Sequence, residues 1–151
     1  MANTAVTTAS GPGLGWTAPA AWTAGPELPM RKATLLISGD SGANAELAIT
    51  AFPGDVGGNL ANVNRWRQQL GTPPISEAEL GTALQHMHVG VLHVDVVELI
   101  GSGMPPAQRV LGAIVPYSGS TWFFKMTGPD DLVAREKSAF LAFVQTIRPQ
   151  N

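Results

Sequence analysis

Residues 86–100 (HMHVGVLHVDVVELI) constrain the fold more than any other stretch of the chain. Read as a strand, they place Met87, Val89, Val91, Val97 and Leu99 at odd positions and Leu92, Val94, Val96 and Ile100 at even ones. Successive side chains of a strand point to opposite sides of its sheet. A segment that is apolar on both sides therefore needs a covering layer on each.

The rest of the sequence supplies those layers. Residues 31–37 (RKATLLI) and 45–52 (AELAITAF) read as strands around the turn Ser38–Asn44. Residues 59–70 read as a helix that starts on Gly57-Gly58-Asn59 and stops at Gly71. After Pro73-Pro74 a second helix spans 76–84, with Ser76 and Glu79 spaced as a capping box. Strands 109–115 and 121–127 flank the turn Pro116–Ser120 and form an antiparallel hairpin. A last helix covers about 130–146, with Leu132, Val133, Phe140, Phe143, Val144 and Ile147 on its apolar stripe. The order β-β-α-α-β-β-β-α predicts an α+β fold: an antiparallel sheet with helices on both faces, an α/β/α sandwich. Its single domain spans 16–151 and follows a flexible N-terminal tether, 1–15, rich in Ala, Thr, Ser, Gly and Pro.

Composition narrows the function classes. The 151 residues suffice to bury a core without a metal or disulfide, and there is no cysteine. Charged residues make up 13 % of the chain and the net charge is −2, so no general field attracts nucleic acid. No apolar run approaches the roughly 20 residues that cross a bilayer. The first 15 residues lack the basic start and apolar core of a signal peptide. Both an exported or envelope-associated domain, with its leader removed, and a cytoplasmic one fit that start.

Pro19-Ala20-Ala21-Trp22 before the first strand, the paired strands within 31–52, the helices of 59–84 and the strands of 86–127 closed by a Phe-rich helix form a recognisable order. Over about residues 16–148 this order resembles the fold of PsbP, the extrinsic photosystem II protein, and of the Ran-binding nuclear-import accessory protein. The resemblance implies a non-enzymatic accessory role.

Helix 59–70 carries three Asn, two Arg, two Gln and one Trp instead of Glu–Lys pairs. At 100° per residue, Leu60, Val63, Trp66 and Leu70 form one stripe, with Arg67 inside it. Asn62, Arg65, Gln68 and Gln69 point away, toward a protein partner, since Arg and Trp are favoured interface anchors. Trp66 is assigned to the core, and Arg67 to a buried pair with Glu136, which falls inside the stripe of the last helix. On this structural reading Asn59 caps the helix, and Asn62 and Asn64 brace loops. Met104, in the loop Met104-Pro105-Pro106, is an exposed apolar contact point. The alternative function is a small-molecule or lipid-binding module with its pocket between the sheet and Trp16/Trp22.

Catalytic and metal roles are not assigned, and no cofactor is expected. Gly39-Asp40-Ser41-Gly42 resembles the nucleophile sequence of chymotrypsin-like proteases, with His93 and Asp95 as formal partners, but a hairpin turn wants the same residues. His86 and His88 share one face of strand 86–100, whereas His93 falls on the other with Asp95. Two alternating histidines lack the further ligands of a closed site.

Overall fold

A computed structural model describes residues 13–55, 57–101 and 107–150. The chain runs through β1 (Gly13–Gly15), β2 (Thr23–Ala24), β3 (Ala33–Ser38), β4 (Asn44–Pro53), α1 (Gly58–Gln69) and α2 (Glu77–Ala83). It continues through β5 (Gln85–Val89), β6 (Leu92–Ile100), β7 (Gln108–Tyr117), β8 (Ser120–Pro129), α3 (Asp130–Arg135), α4 (Lys137–Val144) and β9 (Arg148–Gln150). The main sheet has seven strands in the order β2-β3-β4-β8-β7-β6-β5, and every neighbouring pair is antiparallel. The fold is α+β, with helices on both faces.

The segment 86–100 is not one strand. It folds back at Gly90-Val91, with Val89 opposite Leu92. Gly90 takes a φ of +61°, open to glycine at little cost, and Val91 is 85 % exposed at the tip. The apolar Val91 masks this turn in the sequence pattern. Double coverage still holds along β6: Val94 and Val96 are buried on one face, Val97 and Leu99 on the other.

One face is sealed by α3, α4 and the segment carrying Trp16 and Trp22. Val133, Phe140, Phe143, Val144 and Ile147 pack there onto Leu47, Ile49, Phe124 and Met126. Trp16 meets Trp122 and Phe124 edge-on, and Trp22 tilts against Phe143, so the rings themselves fill the space where a ligand pocket is expected from sequence. The last helix is broken at Glu136 (φ −87°, ψ 2°) into α3 and α4, yet its whole predicted stripe is buried. Gly13–Gly15, assigned to the tether, instead pair with Arg148–Gln150. The remainder of the tether lies outside the described residues.

The opposite face is covered by α1 and α2. Val63, Trp66, Leu80 and Leu84 sit on Val97, Leu99, Val110, Ile114 and Phe123. Trp66 packs against Gly112 of β7, where a Cβ would stand 2.5 Å from its ring. Glycine here seats the helix. The capping box of α2 is present, Ser76 N–H donating to Glu79 and Glu79 N–H to Ser76 Oγ.

Candidate functional site

Helix α1 covers β6, β7 and β8 but stops short of β3 and β4, and a cleft of about 390 Å³ opens along its free side. Ala48, Thr50 and Phe52 of β4 form the floor with Phe123 and Lys125 of β8, while Arg65 and Trp66 form the α1 wall and Arg31 closes the far end. Strand alternation explains this composition: every floor residue belongs to the face opposite α3 and α4.

Three cations meet three aromatic rings in this cleft. Lys125 Nζ lies 5.4 Å from the centre of the Trp66 ring and donates to Gln69 Oε1 at 2.7 Å. Burial lowers the Lys125 pKa, nearby Arg65 and Arg31 lower it further, and Glu46 opposes them. Glu46 is bound to Arg31 at 2.8 Å. Arg65 Nη2 donates to Asn62 Oδ1, and its side chain separates this cleft from a second groove of about 590 Å³ lined by Ala61, Asn64, Gln68, Thr72 and Pro74.

The sequence-assigned residues divide. Arg65, Gln68 and Gln69 are exposed on α1, around the cleft and groove. Asn62 is not on that surface: it is fully buried, and its Nδ2 donates to Gly58 O at 2.8 Å. Of the predicted stripe, Val63 and Trp66 are buried and Leu60 and Leu70 pack half-buried against the same cluster, while Asn62 joins the buried side in place of Arg67. Trp66 is buried. Arg67 does not pair with Glu136, because α1 and α3–α4 lie on opposite faces of the sheet. Arg67 Nε donates to Pro73 O at 2.6 Å, and Glu136 accepts from Trp22 Nε1 at 3.0 Å. Asn64 braces the following loop through Ile75, as donor and acceptor. Met104 lies outside the described residues.

The hairpin β5–β6 makes a second cluster that the single-strand reading misses. Its register sets His86 opposite Asp95 and His88 opposite His93, so all four share the α1 face. Asp95 is 5 % exposed, and its Oδ1 lies 2.5 Å from His86 Nδ1 and 2.9 Å from His93 Nε2. Asn59 Nδ2 donates to the other oxygen at 2.9 Å, so Asn59 holds this carboxylate instead of capping α1. Gly90 was the available signal for the turn. The Asp40–Gly42 turn follows β3, and β4, β8 and β7 separate β3 from β6, so it shares no site with His93 and Asp95.

No family model matches the chain, and no curated protein does. Among solved structures, LpqN of Mycobacterium tuberculosis, described as involved in cell envelope biogenesis, aligns with a TM-score of 0.56 at 14 % identity, over 93 % of this chain and 85 % of that one. A Bacteroides thetaiotaomicron protein aligns with a TM-score of 0.52 at 12 % identity, over 91 % of this chain and 45 % of that one. The chain thus spans less than half the length of the Bacteroides protein. At these identities the likeness shows a common fold.

Proposed function

We propose that this chain is a non-enzymatic accessory domain that docks onto a larger protein assembly through the exposed face of α1 and the cleft beside it. One observation carries the reading: the α1 face of the sheet is left half covered, and the uncovered half is lined by Arg31, Arg65 and Lys125 beside Phe52, Trp66 and Phe123. A desolvated lysine facing two arginines is relieved by an incoming carboxylate, while the rings accept the apolar part of the same segment. An acidic-aromatic partner segment fits that chemistry. The fold likeness to LpqN supports placing the assembly in a cell envelope, and the resemblance to PsbP supports an accessory role. Among the described residues no helix is long and apolar enough to cross a membrane.

A photo-crosslinker at Gln68, introduced in cells of the native host, tests this. One protein adduct is expected, abolished by Arg65→Glu or Gln69→Glu and not formed from Ser138 on α4. An adduct that survives both substitutions overturns the surface.

A second reading, a small-molecule or lipid-binding module, draws on the cleft volume, which lies in the range of about 300–1,000 Å³ usual for ligand sites. Native mass spectrometry of protein from the host would show such a ligand as a discrete mass increment, lost on Trp66→Ala or Phe52→Ala. Unliganded protein throughout would remove this reading.

A further inference from the structure

The cluster at the β5–β6 hairpin stands apart from the cleft in chemistry as well as place. Two imidazoles from adjacent strands point their nitrogens at one oxygen of a buried carboxylate. With a proton on each of these nitrogens both rings donate to Asp95 Oδ1, which has lone pairs for two such bonds, and with those protons lost the same three atoms are free to take one ion. The ligand atoms of His86, His93 and Asp95 all lie within 4.8 Å of one another.

We propose that His86, His93 and Asp95 form a site for a divalent transition-metal ion, with Zn²⁺ the ion it suits under physiological supply. The two imidazoles make the choice of ion: zinc, copper and nickel take imidazole nitrogen together with carboxylate, whereas calcium and magnesium take oxygen ligands, carboxylate among them, and not imidazole. Ligation at about 2.0–2.1 Å with tetrahedral angles puts ligand atoms about 3.3 Å apart. The side chains of His86 and His93 are 58 % and 45 % exposed, so both rings can turn to meet that spacing, while Asp95, at 8 %, is fixed. Fixing it is the part Asn59 plays: its amide occupies Oδ2 and leaves Oδ1 to the histidines. This is the outer-shell support that metal carboxylates ordinarily have. Three protein ligands on a solvent-facing hairpin leave at least one position for water or for a group from a partner. His88, whose ring centre is 5.4 Å from that of His93, is the next imidazole to the site.

The hairpin supplies the further ligands that two alternating histidines on a single strand lack, because it brings His93 and Asp95 to the face of His86.

The test is calorimetric titration of the untagged full chain with Zn²⁺, followed by side-chain NMR of the imidazoles. One ion per chain is expected, with the His86 and His93 resonances shifted. His86→Ala and His93→Ala should each weaken binding at least tenfold, and Asn59→Ala about tenfold, as outer-shell losses do. Asp95→Asn should abolish binding, with circular dichroism checking that the fold is kept. Because both histidines are exposed, their variants remain informative even where Asp95→Asn unfolds. Absence of binding, or binding that survives both histidine substitutions unchanged, overturns the site.

Discussion

The two faces of the sheet are built to different rules. On the α3–α4 face Phe124, Phe140, Phe143 and Ile147 are at most 2 % exposed, and the helices with the Trp16–Trp22 segment close the layer. On the α1–α2 face the cover is partial. The buried polar residues found among the described ones, Thr34, Asn62, Asp95 and Thr121, all belong to this second face or to the helix that covers it. One face supplies cohesion through close-packed hydrocarbon; the other spends part of its area on hydrogen-bonded groups and open surface. A protein that must present a surface and still fold can divide the two tasks in this way.

Substitutions on the two faces should therefore differ in size, and the largest effect belongs to the sealed one. Phe140→Ala leaves a cavity among Phe124, Phe143 and Val133, and should cost about 3–5 kcal/mol in denaturant unfolding. Gly112→Ala probes the other face. The new methyl group must displace the Trp66 ring from its seat, at about 1–3 kcal/mol, with a red shift in tryptophan emission as α1 lifts. If Gly112→Ala proves the costlier of the two, α1 carries more of the stability than its partial cover implies, and the contrast between the faces fails.

A smaller effect is expected where the sealed layer is tied to the sheet. Glu98 of β6 accepts from Lys137 Nζ at 2.8 Å and from Arg109, which also donates to Asp130 Oδ1 at 2.7 Å. Burial raises the Glu98 pKa, but the bonds from Lys137 and Arg109 outweigh it and hold the carboxyl below its ordinary value of 4.5. A lowered folded-state pKa adds stability above the unfolded value, and that stability disappears as pH falls through the folded one. Glu98→Gln should cost about 1–2 kcal/mol near pH 7. The difference from wild type should close as pH drops below about 4.5, the range in which wild-type Glu98 takes up its proton. A gap that persists at low pH would assign the loss to packing.

Periodicity made the sealed face readable from sequence and left the open face half hidden. The stripe Leu132–Ile147 is a local pattern that the structure holds, and so, on the other face, is the Ser76–Glu79 capping box. Asn62 shows what such patterns miss. An amide can enter a buried stripe once its own helix offers Gly58 O, a bond no hydropathy pattern encodes. The His86–Asp95–His93 cluster depends on a two-residue turn whose second residue is apolar, so counting along one strand placed His93 on the wrong side. Arg67 and Glu136 illustrate the third limit: each lies in an apolar stripe, but the stripes face opposite sides of one sheet. Which stripe meets which is a property of topology.

The smallest predicted change in stability separates the faces most sharply. Lys125→Met removes a cation that burial, Arg65 and Arg31 all disfavour, and keeps a side chain of similar length over Trp66. What is lost is a bond to Gln69 and a cation–π contact, each worth about 0.5–1 kcal/mol. What is relieved is desolvation and like-charge repulsion of comparable size. Unfolding free energy near pH 7 should therefore stay within about 0.5 kcal/mol of wild type. Because the folded pKa lies below the ordinary lysine value of 10.5, the cost of holding the charged lysine fades as pH rises through the folded value, so wild type should gain on the variant toward pH 10.5. Crosslinking from Gln68 should fall together with the charge. A core position of the sealed face offers no such exchange, since a substitution there has only packing to lose. If Lys125→Met instead costs several kcal/mol, the cleft is a structural seam and its cations serve the fold.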